Sequence, residues 1–148
     1  MIIIMDNIWK FRSKNTPIVI TTNGTVKKNG EAVMGRGIAL QCKTRFPEFS
    51  ATLGKELEYV GNEVIYFPGY NLITFPVKHN WWEDADLVLI RRSAIQLEKL
   101  FRDFLYIEKI YMTKPGCNNG KRDWETEVKP ILMDYYEDND KLIICDLN

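Results

Sequence analysis

The chain has 148 residues, of which 45% are hydrophobic, 12% aromatic and 27% charged. These proportions are typical of a globular protein, and the length predicts a single domain over residues 1–148. Because 20 basic residues balance 20 acidic ones, the overall charge favours neither nucleic acid nor a membrane surface as a partner. A small anion held by local backbone groups is compatible with this neutrality.

The cysteine and histidine content argues against a metal centre. Cys42, Cys117 and Cys145 form no CxxC pair, and the chain has a single histidine, which disfavours a structural zinc site. We predict no metal and no cofactor. Residues 1–5 are too short and too uncharged for a signal peptide, and no apolar run approaches a membrane span. We therefore expect a cytoplasmic protein without a membrane partner, and we take it to be a monomer.

The first third of the chain predicts two strands and a helix, with a glycine-bearing loop before the helix. Apolar runs at residues 1–5 and 18–22 indicate strands, the second of them fully buried. Turn residues follow at 23–30, then the segment 34–37 with glycines at positions 35 and 37, and then a helix-compatible run at 38–46. Glycines let the backbone approach a ligand closely, and the start of a helix offers unpaired N–H groups to an anion.

The middle of the chain predicts a short helix, a hairpin and a longer helix. The short helix covers residues 48–57. Two apolar runs at 64–68 and 72–77, joined by a short turn, indicate paired strands. An amphipathic helix follows over residues 87–105, where apolar residues recur at three- and four-residue spacing.

The last third of the chain predicts a strand at 109–113, a second glycine-bearing loop at 115–120, a helix at 124–136 and a final strand at 141–145. Pro130 predicts a kink or a late start in that helix. Because strands alternate with helices, we predict an α/β fold, a three-layer α/β/α sandwich with a mixed central sheet. Both glycine loops follow strands and belong at the carboxyl edge of the sheet, where ligands collect in such folds.

Neither glycine loop matches a common phosphate-binding motif. Leu40 stands where the dinucleotide GxGxxG pattern needs its third glycine. Residues 116–121 have one residue too few between the glycines for a P-loop, and Arg122 replaces the Ser or Thr that should follow the lysine. We therefore expect the loops to use backbone amides rather than a lysine–magnesium arrangement.

Five short segments carry a family resemblance by their order along the chain. They are Asp6 after the first strand, TTNG at 21–24, MGRGIA at 34–39, PVKHNW at 76–81 and PGCNNGKRDW at 115–124. Together they resemble the macrodomain family, and most of all the branch that contains the terminal ADP-ribose glycohydrolases and the antitoxins that remove ADP-ribose from DNA. The resemblance covers nearly the whole chain and implies an ADP-ribose site.

The resemblance implies a role for each of these segments in that site. Asp6 would accept a hydrogen bond from the adenine amino group, with the Asn7 N–H nearby, and Asn23 would bind hydroxyls of the distal ribose. By turn chemistry alone, Asp6 could instead cap its loop and Asn23 could form an Asx-turn. The two loops would present N–H groups to the distal ribose and diphosphate, unless each is only a tight turn. Their residues are Gly35, Gly37, Ile38 and Ala39 in the first loop, and Gly116, Cys117, Asn118, Asn119 and Gly120 in the second.

Lys78 is the candidate catalytic residue. It ends an apolar strand, so partial desolvation would lower the pKa of its amine and make it more nucleophilic. In the resembling branch a lysine at this position attacks the anomeric carbon of the distal ribose or polarises the bond, and Asn23 would orient the sugar. The alternative is a solvated lysine at the end of a strand.

The second loop departs from the pattern of the terminal glycohydrolases. Gly120 occupies the position of their aspartate, as it does in the DNA-directed antitoxins, while Asn118 and Lys121 stand where glycines are expected. Lys121 and Arg122 could attract phosphate or a nucleic-acid backbone, although exposed loop charges usually do neither. Asp123 is an acidic candidate nearby, but its position favours capping of the following helix.

Other residues near these motifs have simpler interpretations. Trp81 and Trp82 either stack on a base or cover the hairpin. His79 has no second base or ligand beside it and is interpreted as structural or surface-exposed. Cys42 is assigned to the core. Cys117 lacks a histidine partner that would make it a nucleophile.

These observations together predict a protein that binds ADP-ribose and hydrolyses an ADP-ribosyl linkage. Its partner would be ADP-ribose or an ADP-ribosylated macromolecule, with nucleic acid involved only as a modified substrate. A non-catalytic ADP-ribose-binding module and a phosphatase acting on ADP-ribose 1''-phosphate stay open as alternatives. A structural protein without a ligand is disfavoured, because two glycine loops are conformationally costly.

Overall fold

The computed structural model describes residues 1–147. Its strands are β1 Ile2–Ile4, β2 Ile18–Asn23, β3 Ile65–Phe67, β4 Leu72–Lys78, β5 Ile110–Met112 and β6 Leu142–Cys145. Its helices are α1 Gly37–Arg45, α2 Phe49–Val60, α3 Leu87–Asp103 and α4 Lys129–Tyr136, with a 3-10 helix at Ile8–Phe11 and a π-helical turn at Trp124–Val128. No helix within residues 1–147 is long and apolar enough to span a bilayer.

The six strands form one mixed sheet in the order β1-β6-β5-β2-β4-β3. Neighbouring strands run parallel except β3 and β4, which form an antiparallel hairpin. All of β4 is buried except Lys78 at its end, because helices cover both faces of the sheet there. The predicted hairpin and mixed sheet are thereby confirmed.

Two apolar cores, one on each face of the sheet, produce the three layers. On one face, α3 and α4 pack against the sheet, and Leu97 of α3 belongs to the same apolar core as Phe75 and Val19 of the strands. On the other face, α1 and α2 pack against the sheet, and Phe49 of α2 belongs to the same core as Ile20. Val19 and Ile20 belong to different cores because successive side chains of a strand point to opposite faces. The predicted α/β/α sandwich is confirmed.

Three details of the elements add to the sequence prediction. The 3-10 helix was not predicted; Asn7 caps it by accepting a hydrogen bond from the Trp9 N–H at 3.0 Å. The strand β1 lies at the edge of the sheet, where Ile2 is 39% exposed. In the region predicted as one helix, α4 starts late, with Pro130 in its first turn, where a proline needs no N–H partner. The late start predicted from Pro130 is confirmed.

A bulge lies where β2 and β4 end together. Thr22 pairs with Pro76, whereas the next residue, Asn23, pairs with Lys78, so that Val77 is the extra residue in β4. Bulges of this kind bend a strand and redirect the side chains that follow. This bulge therefore sets the direction of Lys78 at the carboxyl edge of the sheet.

Candidate functional site

A large cavity opens at the carboxyl ends of the central strands, with a volume of about 1150 Å³. Both glycine loops, the end of β4 and the segment after β1 surround it. Every residue predicted for the site lines this cavity: Asp6, Asn7, Asn23, Gly35, Gly37, Ile38, Ala39, Lys78, Gly116, Cys117, Asn118, Asn119 and Gly120. The structure therefore brings all of them together; their individual roles stay predictions.

The first glycine loop leads into α1 without a side-chain cap. The residue before the helix, Arg36, makes no capping hydrogen bond with its side chain, so the N–H groups at the helix start have no side-chain cap there. The first residues of this helix, Gly37, Ile38 and Ala39, line the cavity. Gly37 has a φ of +57°, and a Cβ there would lie 3.1 Å from Asn119 Nδ2 of the second loop. The two loops thus approach each other closely across the cavity.

The second glycine loop is packed against the segment that precedes α3. A Cβ on Gly116 would lie 2.9 Å from the Cβ of Ala85, and a Cβ on Gly120 would lie 2.5 Å from the carbonyl oxygen of Gly116. The Ala85 N–H donates to the Gly120 carbonyl at 2.9 Å, and Arg122 Nε donates to the Ala85 carbonyl at 2.6 Å. Gly120, the position of the aspartate in the terminal glycohydrolases, therefore has no room for any side chain in this loop.

The position after Gly120 keeps the backbone conformation of a glycine. Lys121 has a φ of +62°, in the left-handed region that disfavours residues with a Cβ. Asn118, the other residue found where a glycine was expected, is not among the residues with positive φ. Of the two residues that stand where glycines are expected, only Lys121 therefore adopts a backbone conformation that is unfavourable for a residue with a Cβ.

Lys78 points its amine between the two sides of the cavity. Its Nζ donates to the Asn119 carbonyl at 3.2 Å and to the Trp81 carbonyl at 3.4 Å. Burial lowers the pKa of Lys78, and the charges of Arg36 and Lys121 act in the same direction, whereas the carboxylate of Asp84 opposes them. A lysine with a lowered pKa carries more of the neutral, nucleophilic amine at a given pH.

The backbone around Lys78 is held by two contacts that sequence analysis missed. Asn62 Nδ2 donates to the Lys78 carbonyl at 2.9 Å, and the Gly24 N–H donates to the His79 carbonyl at 3.1 Å. Within residues 1–147, Asn62 Oδ1 is the buried side-chain polar atom without a partner. The turns around Gly24 and Asn62 carried no signal for these contacts, because the contacts depend on how the turns meet the end of β4 in space.

Asn23 adopts the Asx-turn that turn chemistry predicted as an alternative. Its Oδ1 accepts a hydrogen bond from the Thr25 N–H at 2.9 Å, and its Nδ2 donates to the Val33 carbonyl at 3.1 Å. An amide has a second N–H and further oxygen lone pairs, so Asn23 can contact a ligand while it holds the turn.

Asp6 follows β1, which lies at one edge of the sheet. Lys78 ends β4, which is separated from β1 by β6, β5 and β2. Asp6 therefore lies toward the opposite end of the cavity from Lys78. It accepts hydrogen bonds from the Asn7 N–H at 2.7 Å and from Lys10 Nζ at 3.0 Å. The hydrogen bond from Lys10 lowers the pKa of Asp6, and the one from Asn7 acts in the same direction. The carboxylate is thus held in its acceptor form beside the cavity.

The structure supports the simpler interpretations of several other residues. Asp123 caps the turn after the second loop through the Thr126 N–H at 2.9 Å, and Asp86 caps α3. His79 pairs with Asp86 at 2.9 Å, outside the cavity lining. Burial raises the pKa of Cys117 to about 11 and that of the core residue Cys42 to about 12, so neither thiol is an activated nucleophile.

The cavity also includes residues that were not predicted for the site. Thr22 and Thr113 lie at or just after the carboxyl ends of β2 and β5, and Lys114 forms an ion pair with Asp146 at 2.9 Å. For Thr22 and Thr113, the sequence signal that could have indicated the site was their position at the carboxyl ends of predicted strands. Trp81 and Trp82 also line the cavity, with 51% and 64% of their surface exposed.

The chain is similar in sequence to curated proteins, although no protein-family profile matches it. It is 32% identical over 118 residues to the DNA ADP-ribosyl glycohydrolases of Mycobacterium bovis (strain BCG / Pasteur 1173P2) and Mycobacterium tuberculosis (strain ATCC 25618 / H37Rv). These alignments cover 74% of this chain and 33% of each relative. The chain thus spans about a third of the length of the curated relatives it matches.

Solved structures resemble the chain over nearly its whole length. The macrodomain of Mycobacterium tuberculosis DarG has a TM-score of 0.76 and 26% identity, covering 99% of this chain and 97% of that one. The macrodomain of Thermus aquaticus DarG has a TM-score of 0.78 and 22% identity, with 98% and 97% covered. Thermosipho africanus DarTG in complex with ADP-ribose has a TM-score of 0.71 and 17% identity, with 90% of this chain and 38% of that chain covered.

The mixed sheet between two helical layers is the fold of these solved macrodomains. The chain belongs to the macrodomain family. Within the family, its relatives and structural neighbours place it in the DarG-like branch, which confirms the resemblance seen in the sequence motifs.

Proposed function

We propose that this macrodomain binds ADP-ribose between its two glycine loops and hydrolyses an ADP-ribosyl linkage at the distal ribose. The observation that carries the proposal is the position of Lys78, whose amine contacts the second loop in a cavity of about 1150 Å³ that both loops line. The names of the curated relatives, DNA ADP-ribosyl glycohydrolases, and the ADP-ribose complex of a structural neighbour support it.

The diphosphate is expected between the two loops. The N–H groups at the uncapped start of α1, from Gly37 to Ala39, would receive its negative charge from one side, and the N–H groups of residues 116–120 would do so from the other. Asp6 and Asn7 lie at the far end, where the adenine would donate its amino hydrogen to the Asp6 carboxylate. Asn23 would orient the distal ribose next to Lys78.

The proposed chemistry uses the neutral amine of Lys78. Its nitrogen lone pair would form a bond to the anomeric carbon of the distal ribose while the bond from that carbon to the attached group breaks. The electron pair leaves with the departing group, which takes up a proton. Water then hydrolyses the bond between Lys78 and the sugar and restores the amine. In the weaker form of the proposal, the amine only polarises the breaking bond.

The proposed substrate is ADP-ribosylated DNA, by analogy with the curated relatives. The reaction as written needs no metal and no cofactor. We also propose that residues 1–148 act as one domain, as a monomer and in the cytoplasm, a setting that suits three cysteines that are free throughout residues 1–147.

A non-catalytic ADP-ribose-binding module is the second candidate. One observation favours it: Lys78 already donates to two backbone carbonyls, and the neighbouring Gly120 supplies no carboxylate to assist it. In that case Lys78 would only hydrogen-bond to the ligand. The 1''-phosphatase, the third candidate, would release inorganic phosphate from ADP-ribose 1''-phosphate.

Two measurements on the wild-type chain test the proposal. Calorimetry with ADP-ribose should give a saturable binding isotherm; no binding would overturn all three candidate functions. Chromatography of a single-stranded oligonucleotide carrying one ADP-ribosylated base should then detect free ADP-ribose. Binding of ADP-ribose without its release from the oligonucleotide would favour the non-catalytic binding module. Release of inorganic phosphate from ADP-ribose 1''-phosphate would indicate the phosphatase.

A further inference from the structure

The aromatic pair Trp81 and Trp82 is not explained by the packing of the fold. The two indoles are 51% and 64% exposed, and neither belongs to the two apolar cores of the described residues. Their ring centroids lie 5.9 Å apart with the planes at 88°. Burying the faces of such rings against a ligand would be favourable, because each presents a large apolar surface to water.

Trp81 is held by two backbone hydrogen bonds, one of them to the candidate catalytic amine. The Trp81 N–H donates to Thr25 Oγ1 at 3.1 Å, and the Trp81 carbonyl accepts from Lys78 Nζ at 3.4 Å. Trp82 follows directly and packs against Trp81 through its ring. The indoles form the rim of the cavity on the side of Lys78.

Charges of both signs line the cavity near Lys78. Arg36 and Lys121 lie close enough to Lys78 for their charges to lower the pKa of its amine, and both line the cavity. Glu83 and Asp84 follow the aromatic pair along the chain and line the cavity too. Arg36 and Lys121 can therefore attract the phosphates of a strand that passes the rim, while Glu83 and Asp84 oppose that attraction.

We propose that Trp81 and Trp82 form a stacking platform for the bases of a single-stranded DNA that carries the ADP-ribosyl group. This inference rests on the function proposed above. If Lys78 faces the anomeric carbon of the distal ribose, the group attached to that carbon must extend away from ADP-ribose, toward the rim where the indoles lie. A base offers a flat face for an indole, whereas most modified protein side chains do not.

The platform requires a single strand rather than a duplex. Bases within a duplex are already stacked on their neighbours, and exposing one costs the energy of unstacking and unpairing. Stacking of a base on an aromatic side chain is worth about 1–3 kcal/mol, which corresponds to roughly 5- to 150-fold in affinity. Loss of one indole should therefore reduce recognition of the oligonucleotide by a factor within that range.

The experiment compares the variants Trp81→Ala, Trp82→Ala and Trp82→Phe with wild type. Tyr59→Ala is the matched control, because Tyr59 is an aromatic residue on α2 that is 87% exposed and lies outside the cavity lining. Three readouts are taken: kcat/KM for an ADP-ribosylated single-stranded oligonucleotide, kcat/KM for an ADP-ribosylated peptide, and the Kd for ADP-ribose.

The ratio of the two kcat/KM values, oligonucleotide over peptide, should fall about 5- to 150-fold in the Trp→Ala variants. It should fall much less in Trp82→Phe, which keeps an aromatic face, and not at all in Tyr59→Ala. An unchanged ratio in both Trp→Ala variants, or a selective loss on the peptide, would overturn the platform while leaving ADP-ribose binding intact. Failure of the wild type to bind ADP-ribose would instead overturn the proposed function, and the platform with it.

Discussion

The Lys78 amine donates a hydrogen bond to the Asn119 carbonyl at 3.2 Å, which connects the end of β4 to the second glycine loop. The side chain of Asn119 in turn lies against Gly37 at the start of α1, at 3.1 Å from where a Cβ of Gly37 would be. Three segments that are distant in sequence therefore meet at one point. The amine is oriented before any ligand arrives, which reduces the conformational entropy lost on binding.

Replacing Lys78 by alanine should separate binding from chemistry. If the amine acts on the anomeric carbon, Lys78→Ala should lower kcat/KM for ADP-ribose release by roughly 100-fold or more, while the Kd for ADP-ribose changes only a few-fold. Lys55→Ala, on the exposed face of α2, is the control and should behave as wild type. Unchanged release by Lys78→Ala would remove Lys78 from the mechanism.

Charge substitutions around Lys78 should move the pH–rate profile in opposite directions. Arg36 and Lys121 lower the pKa of Lys78, so Arg36→Gln or Lys121→Gln should raise it; Asp84 raises the pKa, so Asp84→Asn should lower it further. Because the neutral amine is the reactive form, the rate increases as pH rises through this pKa. That rising limb should shift to higher pH in the two Gln variants and to lower pH in Asp84→Asn, as measured by kcat at saturating substrate. A shift in the same direction for all three would contradict a reactive amine.

The glycine at position 120 is expected to be a requirement of packing. Gly120→Ala would place a Cβ 2.5 Å from the Gly116 carbonyl oxygen, and overpacking of this kind destabilises by about 1–3 kcal/mol. Gly35→Ala is the matched control, since a Cβ there meets no atom within 4 Å and its φ is not positive. Urea unfolding of both variants measures the difference. Equal stability of the two would show that the loop moves to accept a side chain at position 120.

Replacement of Lys121 by glycine should raise the free energy of unfolding of the chain. Its φ of +62° is unfavourable for a residue with a Cβ, and glycine removes that cost. Lys121→Ala serves as the control, because it removes the same charge but keeps the Cβ. The free energy of unfolding of Lys121→Gly should exceed that of Lys121→Ala by about 1 kcal/mol. The opposite order would mean that the left-handed conformation is not strained here.

Cys117 should react slowly with alkylating reagents although it lies in the second loop. Burial raises the pKa of its thiol to about 11, about two units above that of an ordinary thiol, so the reactive thiolate is about 100-fold scarcer near neutral pH. Treatment of the native protein with iodoacetamide at about neutral pH should leave ADP-ribose release unchanged. Mass spectrometry should find that Cys117 is alkylated much more slowly in the native protein than in the unfolded chain. Rapid alkylation of the native thiol would contradict its burial.

Most of the fold could be predicted from the sequence because its signals are local. Continuous apolar runs predicted the buried strands β2 and β4, three- and four-residue spacing predicted α3, and Pro130 predicted the late start of α4. The 3-10 helix at Ile8–Phe11 was missed because it rests on one cap by Asn7 rather than on a periodic pattern.

By itself, the sequence determined which residues could form the site, since glycine loops and a lysine at the ends of apolar strands are visible as patterns. Only the tertiary structure decided how Lys78 is aimed, because its direction comes from a bulge between β2 and β4 and from a hydrogen bond to Asn62 in another turn. The sequence also left open whether Trp81 and Trp82 are exposed. Whether an aromatic ring is covered depends on which segments pack beside it, and that is fixed by contacts between residues far apart in the chain.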